Sequence, residues 1–76
     1  MTHRQRFAIC LRESRKIVKI SQEELAERAG LHRTYISQLE RGLKSPTLDV
    51  IVALATALRV PPREFASRIF LDGGKK

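Results

Sequence analysis

Apolar residues recur along this chain three, four and seven positions apart, in clusters separated by short polar or glycine- and proline-bearing breaks. Phe7, Leu11 and Val18, with Ala8 beside them and Ser14 as a polar gap, mark the inner stripe of a first helix over residues 3 to 18. Lys19 and Ile20 form a turn. Ser21 followed by Glu24 has the S-x-x-E spacing of a capping box and starts a second helix. Gly30 can take the left-handed conformation that ends this helix, and Gly42 ends a third. Thr47 caps a fourth helix that runs to Leu58, with Leu48, Ile51, Leu54, Ala55 and Leu58 on its buried side. It is the most apolar of the set and is expected at the centre of the core. Pro61 and Pro62 break the chain, and Pro62 suits the first turn of a fifth helix reaching Phe70. No stretch alternates with the period of a strand. The pattern predicts an all-α fold, a compact five-helix bundle, in a single domain over residues 1–72 followed by a flexible tail at 73–76.

The second and third helices carry the functional information. Ala26 is small enough to let another helix cross closely, Gly30 redirects the chain, and Ile36 and Leu39 return to Leu25, Ala26 and Ala29. Residues 22–41 therefore have the layout of a helix-turn-helix, whose second helix enters the major groove of DNA. Arg33, Thr34, Ser37, Gln38 and Arg41 share the outer side of that second helix. None is acidic and each can donate a hydrogen bond. Arg pairs bidentately with guanine and Gln with adenine. A polar outer face is the default for any surface helix, but behind a turn with these small residues it reads as a DNA-reading face.

Composition narrows the partner. Seventy-six residues allow one small core, and a net charge of +7 points to an anionic partner. The charge is partitioned: Arg4, Arg6, Arg12, Arg15, Lys16 and Lys19 crowd the first segment against Glu13, while Glu23, Glu24 and Glu27 oppose Arg28 in the second. The Glu23–Glu24 pair fits a helix start, where carboxylates complement the dipole, better than acid–base chemistry. Cys10 is the only cysteine, which excludes an intramolecular disulfide, and His3 and His32 do not stand at metal-ligand spacing to it. Cys10 reads as a small, partly buried apolar residue. The N-terminus lacks the apolar run of a secretory signal, and no segment approaches the ~20 apolar residues of a membrane span. The expected setting is the cytoplasm, in association with the nucleoid, with no membrane partner, cofactor, metal or enzymatic activity.

With those motifs in place, the chain resembles the Cro/repressor-type helix-turn-helix proteins, the Xre family, over residues 5 to 70. The segments that carry the likeness are LRESRK at 11 to 16, SQEELAERAG at 21 to 30, TYISQLERG at 34 to 42 and SPTLDVIVALATAL at 45 to 58. The run HRTYIS is similar to restriction–modification controller proteins, small standalone dimers of this fold. The resemblance implies a base-reading role for Arg33, Thr34 and Gln38, alongside Ser37 on the same face. It implies that Gln22 bonds a phosphate and braces the recognition helix, and that Arg41, Lys44 and Ser45 meet the backbone. It pairs Arg15 with Glu40 and places His32 where the family has a capping Ser or Thr. Lys19 stands where a glycine is common, which implies a differently shaped first turn. Pro61 replaces the usual cap before the fifth helix.

Phe65, Ile69 and Phe70 are large apolar residues at the end of a small domain, and they are expected to form a two-fold dimer seam. The reading is then a sequence-specific transcriptional regulator that binds a pseudo-palindromic duplex operator as a homodimer. The alternative is a protein-interaction module, such as an antitoxin whose partner sits on the fifth helix.

Overall fold

The computed structural model describes residues 1–69, so Phe70 and the expected tail at 73–76 lie outside the described residues. Five helices follow in order: α1 (His3–Val18), α2 (Gln22–Ala29), α3 (Arg33–Glu40), α4 (Leu48–Leu58) and α5 (Pro62–Ile69). There is no strand among the described residues. α1 packs against α3, α4 and α5, while α2 bridges α3 and α4.

Local chemistry sets most of the helix ends. The Ser21 hydroxyl accepts from the Glu24 amide at 2.9 Å and that of Thr47 from the Val50 amide at 3.1 Å. Each such cap contributes about 1 kcal/mol. The expected box at α2 is only half made, because the Glu24 carboxylate accepts from Arg28 at 2.7 Å instead. The complete box lies at α1: Thr2 accepts from the Gln5 amide at 3.1 Å, and the Gln5 side chain accepts from the Thr2 amide at 2.9 Å. α1 through α4 all end alike, with one residue in the left-handed region: Lys19 (φ 65°), Gly30 (φ 71°), Gly42 (φ 73°) and Arg59 (φ 61°). In each, the next amide folds back onto a carbonyl five residues earlier, as from Ile20 to Arg15 and from Leu31 to Ala26. The first turn thus keeps the glycine-type shape although Lys19 occupies it, at a strain of about 1 kcal/mol.

The core is built from Phe7, Leu11, Leu25, Ile36, Leu39, Leu54 and Phe65, all fully buried, with Cys10 buried among them. Burial of each large side chain is worth roughly 1.5–3 kcal/mol. Phe7 and Phe65 meet edge to face, with ring centroids 5.7 Å apart. Glu13 and Arg68 form an ion pair that ties α1 to α5.

Several expectations are corrected. Val18 is 37% exposed, because the chain turns at Lys19 and Ile20 takes the core position beyond the turn. Leu48 is 76% exposed and Val52 44%, so the first half of α4 has an open flank, while its second half is buried in the core as expected through Leu54, Ala55 and Leu58. Phe65 and Ile69 do not wait for a partner: they are 0% and 5% exposed within the single chain. What remains open is an apolar groove between α4 and α5, lined by Leu48, Ile51, Val52, Pro62, Ala66 and Ile69.

Candidate nucleic-acid interface

α2, a three-residue turn and α3 form the expected helix-turn-helix. A Cβ at Gly30 would meet nothing within 4 Å, so the need for glycine there comes from its positive φ and not from crowding. Ala26 is buried beneath the crossing. α3 then buries Ile36, Leu39 and Glu40, packs Tyr35 against the edge of the core and turns its remaining side chains outward. Arg33 and Thr34 are exposed, and Ser37 and Gln38 are half-buried on the same side. Arg41, Lys44 and Ser45 continue exposed along the segment that leaves α3.

His32 precedes α3 in an extended conformation, and its side chain makes no capping bond. The imidazole does not stand in for the hydroxyl that would cap this helix, so the capping role expected of His32 is not made. Its exposed ring and the amides of the first turn of α3 face the same surroundings as Arg33.

Behind the outer face lies a buried ionic cluster. Glu40 is 2% exposed. Its carboxylate accepts from Arg15 twice, from Nε at 2.6 Å and Nη2 at 2.9 Å, and from Gln22 Nε2 at 3.0 Å. Arg15 also donates Nη1 to the Ile20 carbonyl at 3.0 Å, which fixes the end of α1 and the start of α2 to the same guanidinium. Burial alone would raise the Glu40 pKa. The bonds from Arg15 and Gln22 and the charges of Arg15 and Arg12 outweigh it and hold the carboxyl below the ordinary carboxylate range. The bond to Glu40 in turn raises the pKa of Arg15. Gln22, expected at a phosphate, has its amide turned inward to Glu40, with one N–H remaining for an external acceptor.

Arg12 was not singled out by sequence. Its Nη1 donates to the main-chain carbonyl of Glu40 at 2.6 Å. The only signal was its position three residues before Arg15, which puts both guanidiniums on one side of α1. The arrangement gives α3 an outer surface of donors with no carboxylate. The single acid of the helix is drawn inward and neutralised.

The chain matches the helix-turn-helix family over residues 11–65. It is 43% identical over 58 residues to the control protein C.SmaI of Serratia marcescens, covering 76% of this chain and 69% of that one. It is 46% identical over 50 residues to an uncharacterized HTH-type transcriptional regulator of Mycobacterium tuberculosis, covering 66% of this chain. The matching segment spans only 36% of that relative's length. The crystal structure of the restriction-modification controller protein C.AhdI from Aeromonas hydrophila superposes with a TM-score of 0.80 at 44% identity, covering 82% of this chain and 94% of that one. Given this fold, this turn and these matches, the chain belongs to the helix-turn-helix family of the Cro/repressor (Xre) type.

Proposed function

We propose that this DNA-binding transcription regulator reads a pseudo-palindromic operator as a homodimer, in the manner of a restriction–modification controller protein. The observation that carries the reading is the charge sorting on α3: Arg33, Thr34, Ser37 and Gln38 face outward while Glu40 is buried against Arg15. A helix presented to the major groove must carry donors toward base edges and no uncompensated carboxylate toward phosphates. In this reading Arg33, Thr34, Ser37 and Gln38 discriminate bases. Arg41, Lys44, Ser45, the exposed His32 and the remaining Gln22 N–H hold the backbone.

The second copy sits on the α4–α5 groove. Leu48 and Val52 are large, apolar and exposed, and they border a concave apolar surface floored by Ile69. A two-fold axis through this patch lets each Leu48 enter the groove of the other copy, a self-complementary contact of the kind that closed dimers use. The antitoxin alternative gains nothing from the relatives described above.

Selection of bound duplexes from a random pool tests the reading. The expected product is an inverted repeat with half-sites about 34–36 Å apart. Recovery of a single unrepeated site, or of no sequence preference, would refute the dimeric reader.

A further inference from the structure

α3 is only eight residues long, and its seating rests on Ile36, Leu39 and the clamp at Glu40. So short a helix has few contacts to fix its roll about its own axis. With side-chain tips some ~5–6 Å from that axis, a roll of about 20° moves them by ~2 Å, well beyond the tolerance of a recognition contact. What fixes the roll therefore matters to what the helix reads.

The C-terminal end of α3 is closed on two sides. The Leu43 amide donates to the Gln38 carbonyl at 2.9 Å and the Gly42 amide to that of Leu39 at 3.1 Å. The Glu40 carbonyl receives Arg12 Nη1 from α1 at 2.6 Å. α3 has no basic residue in its own last turn, and Arg12, reaching across the helix interface, adds a positive charge at the negative end of its dipole beside the C-cap residue Arg41. Arg15 grips the side chain of the same residue. Arg12 and Arg15, one turn apart on α1, thus hold both the main chain and the carboxylate of Glu40. Two attachment points on one residue restrain rotation, where the carboxylate alone would act as a pivot.

We infer that Arg12 is a positioning residue for DNA recognition: it sets the roll of α3 and thereby the discrimination between specific and non-specific duplexes. This rests on α3 being the reading helix, so Arg33→Ala serves as the reference variant. Arg12→Met keeps the aliphatic stem and removes the bond, and Arg12→Lys restores a cationic donor. Each variant is titrated by fluorescence anisotropy against the selected duplex and a scrambled one over a range of salt, well below its unfolding midpoint. Arg12→Met is expected to lower the specific-to-non-specific affinity ratio about tenfold, to leave the salt slope changed by well under one unit, and to be largely rescued by Arg12→Lys. A ratio unchanged in Arg12→Met while Arg33→Ala lowers it overturns the assignment and leaves α3 as the reader. A salt slope reduced by about one unit on both duplexes makes Arg12 a phosphate contact and also overturns it. A ratio unmoved by Arg33→Ala means that α3 is not the reader, and the inference falls with that reading. Should Arg12→Met fail to fold, Arg12→Gln takes its place under the same criteria, with Arg12→Lys again as the rescue.

Discussion

Removing either partner of the Arg15–Glu40 pair should be costly, and unequally so. Glu40 is 2% exposed and its carboxylate accepts three hydrogen bonds, two of them from Arg15. Arg15→Met leaves a buried carboxylate hydrogen-bonded only by the neutral Gln22 amide, which falls in the roughly 3–5 kcal/mol range of a stranded buried charge. Glu40→Leu leaves a guanidinium that is 15% exposed and keeps its bond to the Ile20 carbonyl. Its loss should lie at or below the bottom of that range. A domain of this size has only about 4–11 kcal/mol in all, so the worse variant should melt roughly 15–30 °C below wild type. The double variant Arg15→Met/Glu40→Leu replaces the pair with apolar volume and should recover ~2–3 kcal/mol of the summed losses. Urea unfolding of the four proteins, followed by circular dichroism at neutral pH, gives the coupling directly. Losses that add to within about 0.5 kcal/mol would show that the two groups do not support each other, whatever their distance. Acid supplies an independent check. The Glu40 pKa is lowered in the folded state, so its contribution is complete above the ordinary value of 4.5 and is lost as the pH falls from there through the lower folded value. The stability gap between wild type and Glu40→Leu should therefore narrow below pH 4.5, and a gap that widens there contradicts the assignment.

Arg33→Ala is expected to lose roughly 1–3 kcal/mol on the operator and to relax preference at one base pair per half-site, whereas Arg41→Ala should weaken operator and scrambled duplex alike and reduce the salt slope by about one unit per protomer. Equal losses on both duplexes for Arg33→Ala would mark it as a backbone contact. Leu48→Asp or Val52→Asp, both exposed, should give a folded monomer by sedimentation and circular dichroism, while Phe65→Asp, fully buried against Phe7, should not fold at all. A Leu48→Asp protein that stays dimeric places the seam elsewhere. Lys19→Gly and Arg59→Gly relieve a left-handed backbone and should each raise stability by about 0.5 kcal/mol after the added chain entropy of glycine. A drop in the unfolding midpoint would show that neither residue is strained.

The helices, their order and the outward polar side of α3 were legible because their signals are local. Ser21, Gly30, Gly42, Thr47 and Pro62 sit within one turn of the ends they set. Side-chain destinations across the bundle were less so. Val18 and Ile20 compete for one core position, and periodicity favours Val18 because it assumes that the helix continues, whereas the left-handed Lys19 hands the position to Ile20. Leu48 lies on the apolar stripe of α4, but a stripe does not say whether another element covers its first turn. Phe65 looked surplus because the depth of the cleft against Phe7 depends on how α1 and α5 meet, which no local pattern encodes. Arg12 was hidden for the same reason. Its partner is a carbonyl 28 residues away, and main-chain acceptors leave no mark in a sequence.

The eight residues of α3 divide their labour by side. Ile36, Leu39 and Glu40, with Tyr35 partly buried beside them, hold the helix to the bundle, and Arg33, Thr34, Ser37 and Gln38 lie on the other side, the first two exposed and the last two half-buried. The inward side is a socket and the outward side an interchangeable insert. Rewriting the four outward positions with those of another regulator should transplant its operator preference at little expense in stability. On the proposed reading of α3, a gene bearing this fold can acquire a new DNA target through a few substitutions, without passing through an unfolded ancestor.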